Sequence, residues 1–323
     1  MKKKNINTRT TLVASIATLV VIALAILLWA IYGRTDAHDP QPTTHNPQPT
    51  TNNPQPTTHN PITTIAVMPT MDCLPILVAY NDSDNNRMRN DFRLQLFTAQ
   101  MDLDTALIGG SSQIGFTDVV RAQRMIRKRT PIDFYSSTNL EWKLIANSKT
   151  RIRQVSNLEE KLVGISRFSA ADMLSEKSIE DAGVKKEKVF RVQINDFGIR
   201  LRMFLNNELD AVMLPEPYST EAVRFKNKVI DDYHDQRLHL GAIVVRTDMM
   251  SKKEKQLNRF TQLYNAAVDS INKNGVQHYR EVIRTYCHIK AATIDSLHLP
   301  SYRHITPVET STIEQAQQWL DKH

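Results

Sequence analysis

Asp210-Ala211-Val212-Met213-Leu214-Pro215-Glu216-Pro217 is a short apolar run that ends abruptly in a glutamate held between two prolines. Read as a strand, it delivers a carboxylate to its own carboxyl end and so forms one wall of a ligand cleft. Working outward, seven more strand-like stretches share this habit: Thr64–Met68, Gln113–Phe116, Ile132–Ser136, Lys143–Ala146, Leu162–Ser166, Val189–Ile194 and Gly241–Arg246. Helix-like runs separate most of them. Such alternation predicts α/β layers around largely parallel sheets.

Ligands of open α/β sheets lie beyond the carboxyl ends of the strands, and the residues in those places are consistently polar. They are Pro69-Thr70-Met71-Asp72, Thr117-Asp118, Ser137-Thr138-Asn139, Arg167-Phe168-Ser169, Asn195-Asp196 and Glu216. Ser169 followed by Asp172 has the look of a capping box, and amides at a helix start beside Arg167 favour a bound anion. The structural alternative makes Ser169 a plain cap and Arg167 a solvated surface charge.

Four pieces carry a family resemblance. Ile65-Ala66-Val67-Met68-Pro69-Thr70-Met71-Asp72-Cys73-Leu74-Pro75, Gly115-Phe116-Thr117-Asp118, Leu209-Asp210-Ala211-Val212-Met213-Leu214-Pro215-Glu216-Pro217-Tyr218 and Leu238-His239-Leu240-Gly241 follow one another in order and spacing. Together they resemble the solute-binding proteins of nitrate, sulfonate, taurine and thiamine-precursor ABC importers, from Thr64 to nearly the end of the chain. The resemblance implies a two-lobe type II periplasmic-binding-protein fold of α/β lobes, with the cleft between lobes closing on a small anionic or zwitterionic organic solute. The crossings between lobes are expected near Lys143–Asn147 and Leu238–Val244. This makes residues 64–145 plus 241–323 lobe 1 and 146–240 lobe 2, with closing helices at Lys252–Asn274, Val276–Cys287 and Glu309–Lys322 returning to lobe 1. It also implies a first cleft wall of Thr70, Met71, Asp72, Thr117, Asp118, Ser136, Ser137 and Thr138. Arg167, Phe168, Ser169, Asp196, Glu216 and Tyr218 form the second. Each of these residues has a plainer reading as a strand-end turn or cap, and Glu216 a further one as a hinge or permease-docking residue.

Two departures from the family stand out. Asn81-Asp82-Ser83-Asp84-Asn85-Asn86 makes the first helix-to-strand connection more polar than in relatives, and Gly109-Gly110-Ser111-Ser112-Gln113 reads as a flexible, amide-rich turn suited to a ligand.

The amino-terminal part has another character. Lys2, Lys3, Lys4 and Arg9 precede an uncharged apolar run from Thr11 to Tyr32, a little longer than the ~20 residues a membrane-spanning helix needs. A basic segment at 1–10, a transmembrane anchor at 11–32 and a single pass of the inner membrane follow, with the body in the periplasm or outside the cell. Cleavage at Thr35-Asp36-Ala37 is the alternative. Residues 33–63 hold repeats of the type His45-Asn46-Pro47-Gln48-Pro49-Thr50-Thr51, a semi-rigid spacer of roughly 3 Å per residue where it is polyproline-like. His38, His45 and His59 recur in it without the surrounding groups that orient metal ligands, so no metal is expected there.

The 323 residues, 41% hydrophobic and 23% charged, suffice for one large domain or two modest ones. A formal charge of +7 without interleaved aromatics or a nucleic-acid motif gives no nucleic-acid partner. The basic run Arg121, Arg124, Arg127, Lys128 and Arg129 reads as a solvated helix face or a docking patch. Cys73 and Cys287 form no disulfide framework, and whether they pair is open. The expected protein is a monomeric, non-catalytic capture protein without cofactor, working with an ABC permease. The rivals are an enzyme of the same fold, such as a dehydratase or a pyrimidine-precursor enzyme, and a ligand-sensing receptor domain. No phosphate-binding glycine loop, zinc-protease helix or nucleophile elbow is present.

Overall fold

The computed structural model describes residues 62–82, 87–233, 238–250 and 253–323. The expected basic segment, anchor and all but the last two residues of the spacer lie outside them, as do Ser83–Asn86 of the polar connection. Among the described residues no helix is long and apolar enough to cross a membrane.

The described chain contains ten strands: β1 (Thr63–Val67), β2 (Phe92–Leu96), β3 (Ile114–Asp118), β4 (Ile132–Thr138), β5 (Trp142–Ala146), β6 (Leu162–Ile165), β7 (Phe190–Gln193), β8 (Ala211–Pro215), β9 (Lys228–Asp232) and β10 (Gly241–Arg246). Eight correspond to the sequence expectation. The two it missed, β2 and β9, are edge strands, and the exposed positions of Phe-Arg-Leu-Gln-Leu and Lys-Val-Ile-Asp-Asp break the apolar run that a central strand shows. By contrast, β3, β8 and β10 are buried at every position.

The strands form two five-stranded sheets with the orders β2-β1-β3-β10-β4 and β7-β6-β8-β5-β9. In each, four of the five strands run in one direction and the fourth in the order is antiparallel to its neighbours. The second sheet repeats the order of the first, so β6 stands where β1 does and β8 where β3 does. The chain passes to the second sheet through residues 139–141 and returns between β9 and β10. The first passage is complete before Lys143, because Trp142 already pairs with Pro215. Gly241 explains how tightly the strands meet there: a Cβ at this position would strike Thr138 Oγ1 and lie 2.5 Å from Leu140 Cβ.

Both sheets bury apolar side chains under helices. The long helix Glu254–Asn274 presents Phe260, Tyr264, Ala267, Val268 and Ile271, a spacing that keeps one face on the first sheet's layer. Phe260 stacks on Tyr264 at 6.0 Å, and Tyr264 lies 6.3 Å from Phe116 of β3. Each such side chain contributes about 1.5–3 kcal/mol on burial. The other closing helices are Arg280–Cys287 and Thr310–Asp321. Cys73 and Cys287 are both buried free thiols.

Candidate functional site

The Glu216 turn is wholly buried. Its carboxylate accepts from Lys143 Nζ at 2.8 Å and from the amide of Thr220 at 3.1 Å, in the helix Tyr218–Arg224 that it opens. Its carbonyl accepts from the amide of Met71, across the cleft, at 3.0 Å. Burial works against the Lys143 ammonium, yet Glu216, with Asp232 and Glu141, holds its pKa above the ordinary value. Glu216 is therefore a brace between β5, β8 and the opposite lobe. Tyr218 packs its ring 5.8 Å from Phe197, itself 5.8 Å from Trp142.

On the first lobe, Asp72 is the centre of a buried cluster. Thr70 donates to Asp72 Oδ1 at 2.6 Å and Thr138 to Oδ2 at 3.0 Å. Burial raises the Asp72 pKa, and these hydroxyls oppose the rise. Ser136 and Ser137 turn elsewhere: the Ser136 hydroxyl donates to the carbonyl of Thr306 at 3.1 Å, and the Ser137 amide to the same carbonyl at 2.8 Å. They fasten the segment that leads into the last helix. Tyr302 of that segment donates to the Met71 carbonyl at 2.7 Å.

The lobes also meet at Asp118. Its Oδ1 accepts from the amide of Arg121 at 2.9 Å, capping the helix Val119–Arg127, and from the amide of Ala170 in the other lobe at 3.0 Å. Gln100 Nε2 donates to Oδ2 at 3.3 Å. Ala170 is the first residue of the helix Ala170–Asp181. The two lobes thus trade contacts along matching strands: the residue ending β3 meets the helix after β6, and the residue following β8 meets the turn after β1. Asp118 is fully buried, and burial pushes its carboxyl up to about 7 against the pull of Arg121.

Ser169 does not close the expected capping box. Its hydroxyl donates to the Ser166 carbonyl at 2.7 Å, while Asp172 accepts from the amide of Phe168 at 2.8 Å. Arg167 is half-exposed, leans on Asp172 at 3.5 Å and lines a separate surface pocket with Lys186, Arg191 and His323. Phe168, in a left-handed backbone conformation at φ 52°, lies under Arg124 of the other lobe at 4.7 Å. Asp196 caps the helix Phe197–Leu205 by accepting from Ile199, and its backbone bridges to Ala99 across the lobes. The basic run is spent on structure as well: Arg121 is buried on Asp104, and Arg127 pairs with Asp321. Gln113, expected in a ligand-binding turn, instead accepts from the Thr64 amide and donates to the Gly110 carbonyl.

Between the lobes lies a cavity of about 20 Å³ lined by Met68, Thr70, Asp72, Gln100, Leu103, Phe116, Thr117, Leu140 and Phe197. That is room for about one water. Thr70, Asp72 and Thr117 are the expected wall residues that reach it. Met68, Gln100, Leu103, Phe116, Leu140 and Phe197 were missed, and of these only Met68 and Phe116, inside the quoted Ile65–Pro75 and Gly115–Asp118 motifs, carried a signal that would have found them. None of the lining residues is basic. Among the described residues no group of three or more His, Cys, Asp or Glu is placed to hold a metal.

No family model matches the chain, and no curated protein does. Solved structures do. The periplasmic aliphatic sulphonate binding protein from Escherichia coli superposes with a TM-score of 0.67 at 16% identity, over 81% of this chain and 91% of that one. The chain has the type II periplasmic-binding-protein fold. The alkanesulfonate-binding protein from Xanthomonas axonopodis pv. citri, bound to MOPS, agrees with it at a TM-score of 0.70 and 14% identity, over 80% and 91% of the two chains. A desulfurization enzyme has the same fold, with a TM-score of 0.58 at 9% identity over 80% and 92%. The binding-protein fold thus serves both capture and catalysis, and function has to be argued from the cleft.

Proposed function

We propose that the chain is the solute-binding protein of an ABC importer, capturing a small organic solute between its lobes and presenting the closed form to a membrane permease. The observation that carries this reading is a cavity between the lobes where the ends of β1 and β3 face the second lobe, with two chain crossings beside it that are placed to act as a hinge. At about 20 Å³ the cavity admits a solute only if the lobes part, which is the motion that couples binding to a second partner. Of the classes expected from the sequence, the lining favours a zwitterion over a bare anion, because Asp72 is in it and no Lys or Arg is. The chain works as a monomer, with the span at 11–32 tethering the body outside the cytoplasm.

The enzyme reading is weaker. Cys73, in the turn after β1, is buried, and burial next to Asp72 raises its thiol well above the ordinary value, the reverse of what a reactive thiolate requires.

The test is thermal unfolding of the full chain with aminoalkanesulfonates, alkanesulfonates, nitrate and carboxylates. A bound solute at one hundred times its dissociation constant stabilises by about 2.7 kcal/mol and raises Tm by several degrees. Absence of any rise, or conversion of a probe into product, refutes the proposal.

A further inference from the structure

The start of the helix Ala170–Asp181 faces the other lobe, where an anionic head group would be held. A carboxylate is already there, and it belongs to the chain. Asp118 Oδ1 takes the Ala170 amide at 3.0 Å while capping its own helix through Arg121 at 2.9 Å. Around it the charges are mostly settled: Arg121 is forked onto Asp104 through Nε and Nη2 at 3.1 and 2.5 Å. Arg200, the other buried cation nearby, donates to the carbonyls of Ile194 and Met213 and to the hydroxyl of Ser166.

What remains unsettled is an acceptor. Gln100 is 6% exposed and lines the cavity; its Nε2 is given to Asp118, and its Oε1 has no hydrogen-bond partner among the described residues. A buried acceptor left unpaired keeps the full cost of its desolvation, so a donor reaching it is favoured. Asp72 adds negative charge to the same cavity, and the rings of Phe116 and Phe197 line it, a surrounding that suits a cationic nitrogen.

We infer that the chain's own Asp118 carboxylate fills the anion position of the cleft, so that the solute is recognised through a protonated nitrogen at Gln100 and Asp72 rather than through an anionic head group. This rests on the solute-capture reading and narrows it to amine-bearing solutes.

The experiment is calorimetric titration of the full chain with aminoalkanesulfonates of two to four carbons, the alkanesulfonates of equal length and the matching alkylamines. The aminated sulfonates should bind at least tenfold more tightly than their deaminated counterparts, and Gln100→Leu should erase most of that preference. Asp118→Ser keeps a cap for its own helix but withdraws the charge and reach that fill the Ala170 amide. It should gain binding of the alkanesulfonates. Equal affinity for aminated and deaminated sulfonates, or an unchanged ratio in Asp118→Ser, overturns the inference while leaving solute capture standing. Binding of no probe by any of the three proteins overturns solute capture and this inference together.

Discussion

Replacing Asp118 with Asn should change how the stability of this protein depends on pH. Burial raises the Asp118 carboxyl from 3.8 to about 7 in the folded chain. The folded state therefore holds the proton more tightly than the unfolded one. The stabilisation from the protonated form is complete below about pH 3.8 and is lost progressively as pH rises to about 7. At about 1.36 kcal/mol per pH unit the whole loss is about 4 kcal/mol, and about 2–3 kcal/mol of it falls between pH 5 and pH 8. Asn carries no charge at any of these pH values, and its side-chain oxygen still accepts from the Arg121 and Ala170 amides. Asp72, Asp104 and Asp172 are also buried carboxyls with raised pKa values, so the wild-type curve alone is a sum. The difference between the two proteins isolates Asp118. Urea unfolding followed by far-ultraviolet circular dichroism from pH 5 to pH 8 should show Asp118→Asn gaining about 2–3 kcal/mol on the wild type across that range. Parallel curves would refute the argument, because they would mean that Asp118 is ionised at no cost in the closed cleft.

Other consequences follow from the same packing. Glu216→Gln should lower stability by about 1–3 kcal/mol, since it leaves the Lys143 ammonium half-buried without its counter-charge, while solute affinity of the folded protein stays unchanged in calorimetry. A large affinity loss would instead make Glu216 a ligand contact. Gly241→Ala should cost about 1–3 kcal/mol by urea midpoint, because the new methyl meets Thr138 and Leu140 at the crossing between lobes. Cys73 and Cys287 should resist thiol reagents in the native chain and react fully in urea, burial having raised both thiols, that of Cys287 to about 12. Rapid native labelling of either would contradict their placement.

The central strands were legible because burial on both faces demands unbroken apolar runs, as in Ala211–Leu214 and Gly241–Val245. The edge strands β2 and β9 were not, since their exposed positions carry Arg, Gln, Asp and Lys that read equally well as loop. Within the site the same division holds. Thr70, Asp72 and Thr117 were found from their place after strands and do line the cavity. Leu140 and Phe197 look like ordinary core residues in the sequence and reach the cavity only because the lobes are apposed.

Polar residues after apolar strands announce a cleft, and local chemistry suffices for that: the strand buries its run, and its end must find solvent, a cap or a ligand. Glu216 between its prolines and Asp118 after Gly115-Phe116-Thr117 are equivalent by this rule. Their partners separate them. The Glu216 carboxylate turns to Lys143 of its own sheet, 73 residues away, whereas the Asp118 carboxylate reaches an amide on the other lobe. Which carboxylate braces and which one fills the cleft depends on the apposition of two sheets whose strands lie far apart in the chain, and no local pattern encodes that distance.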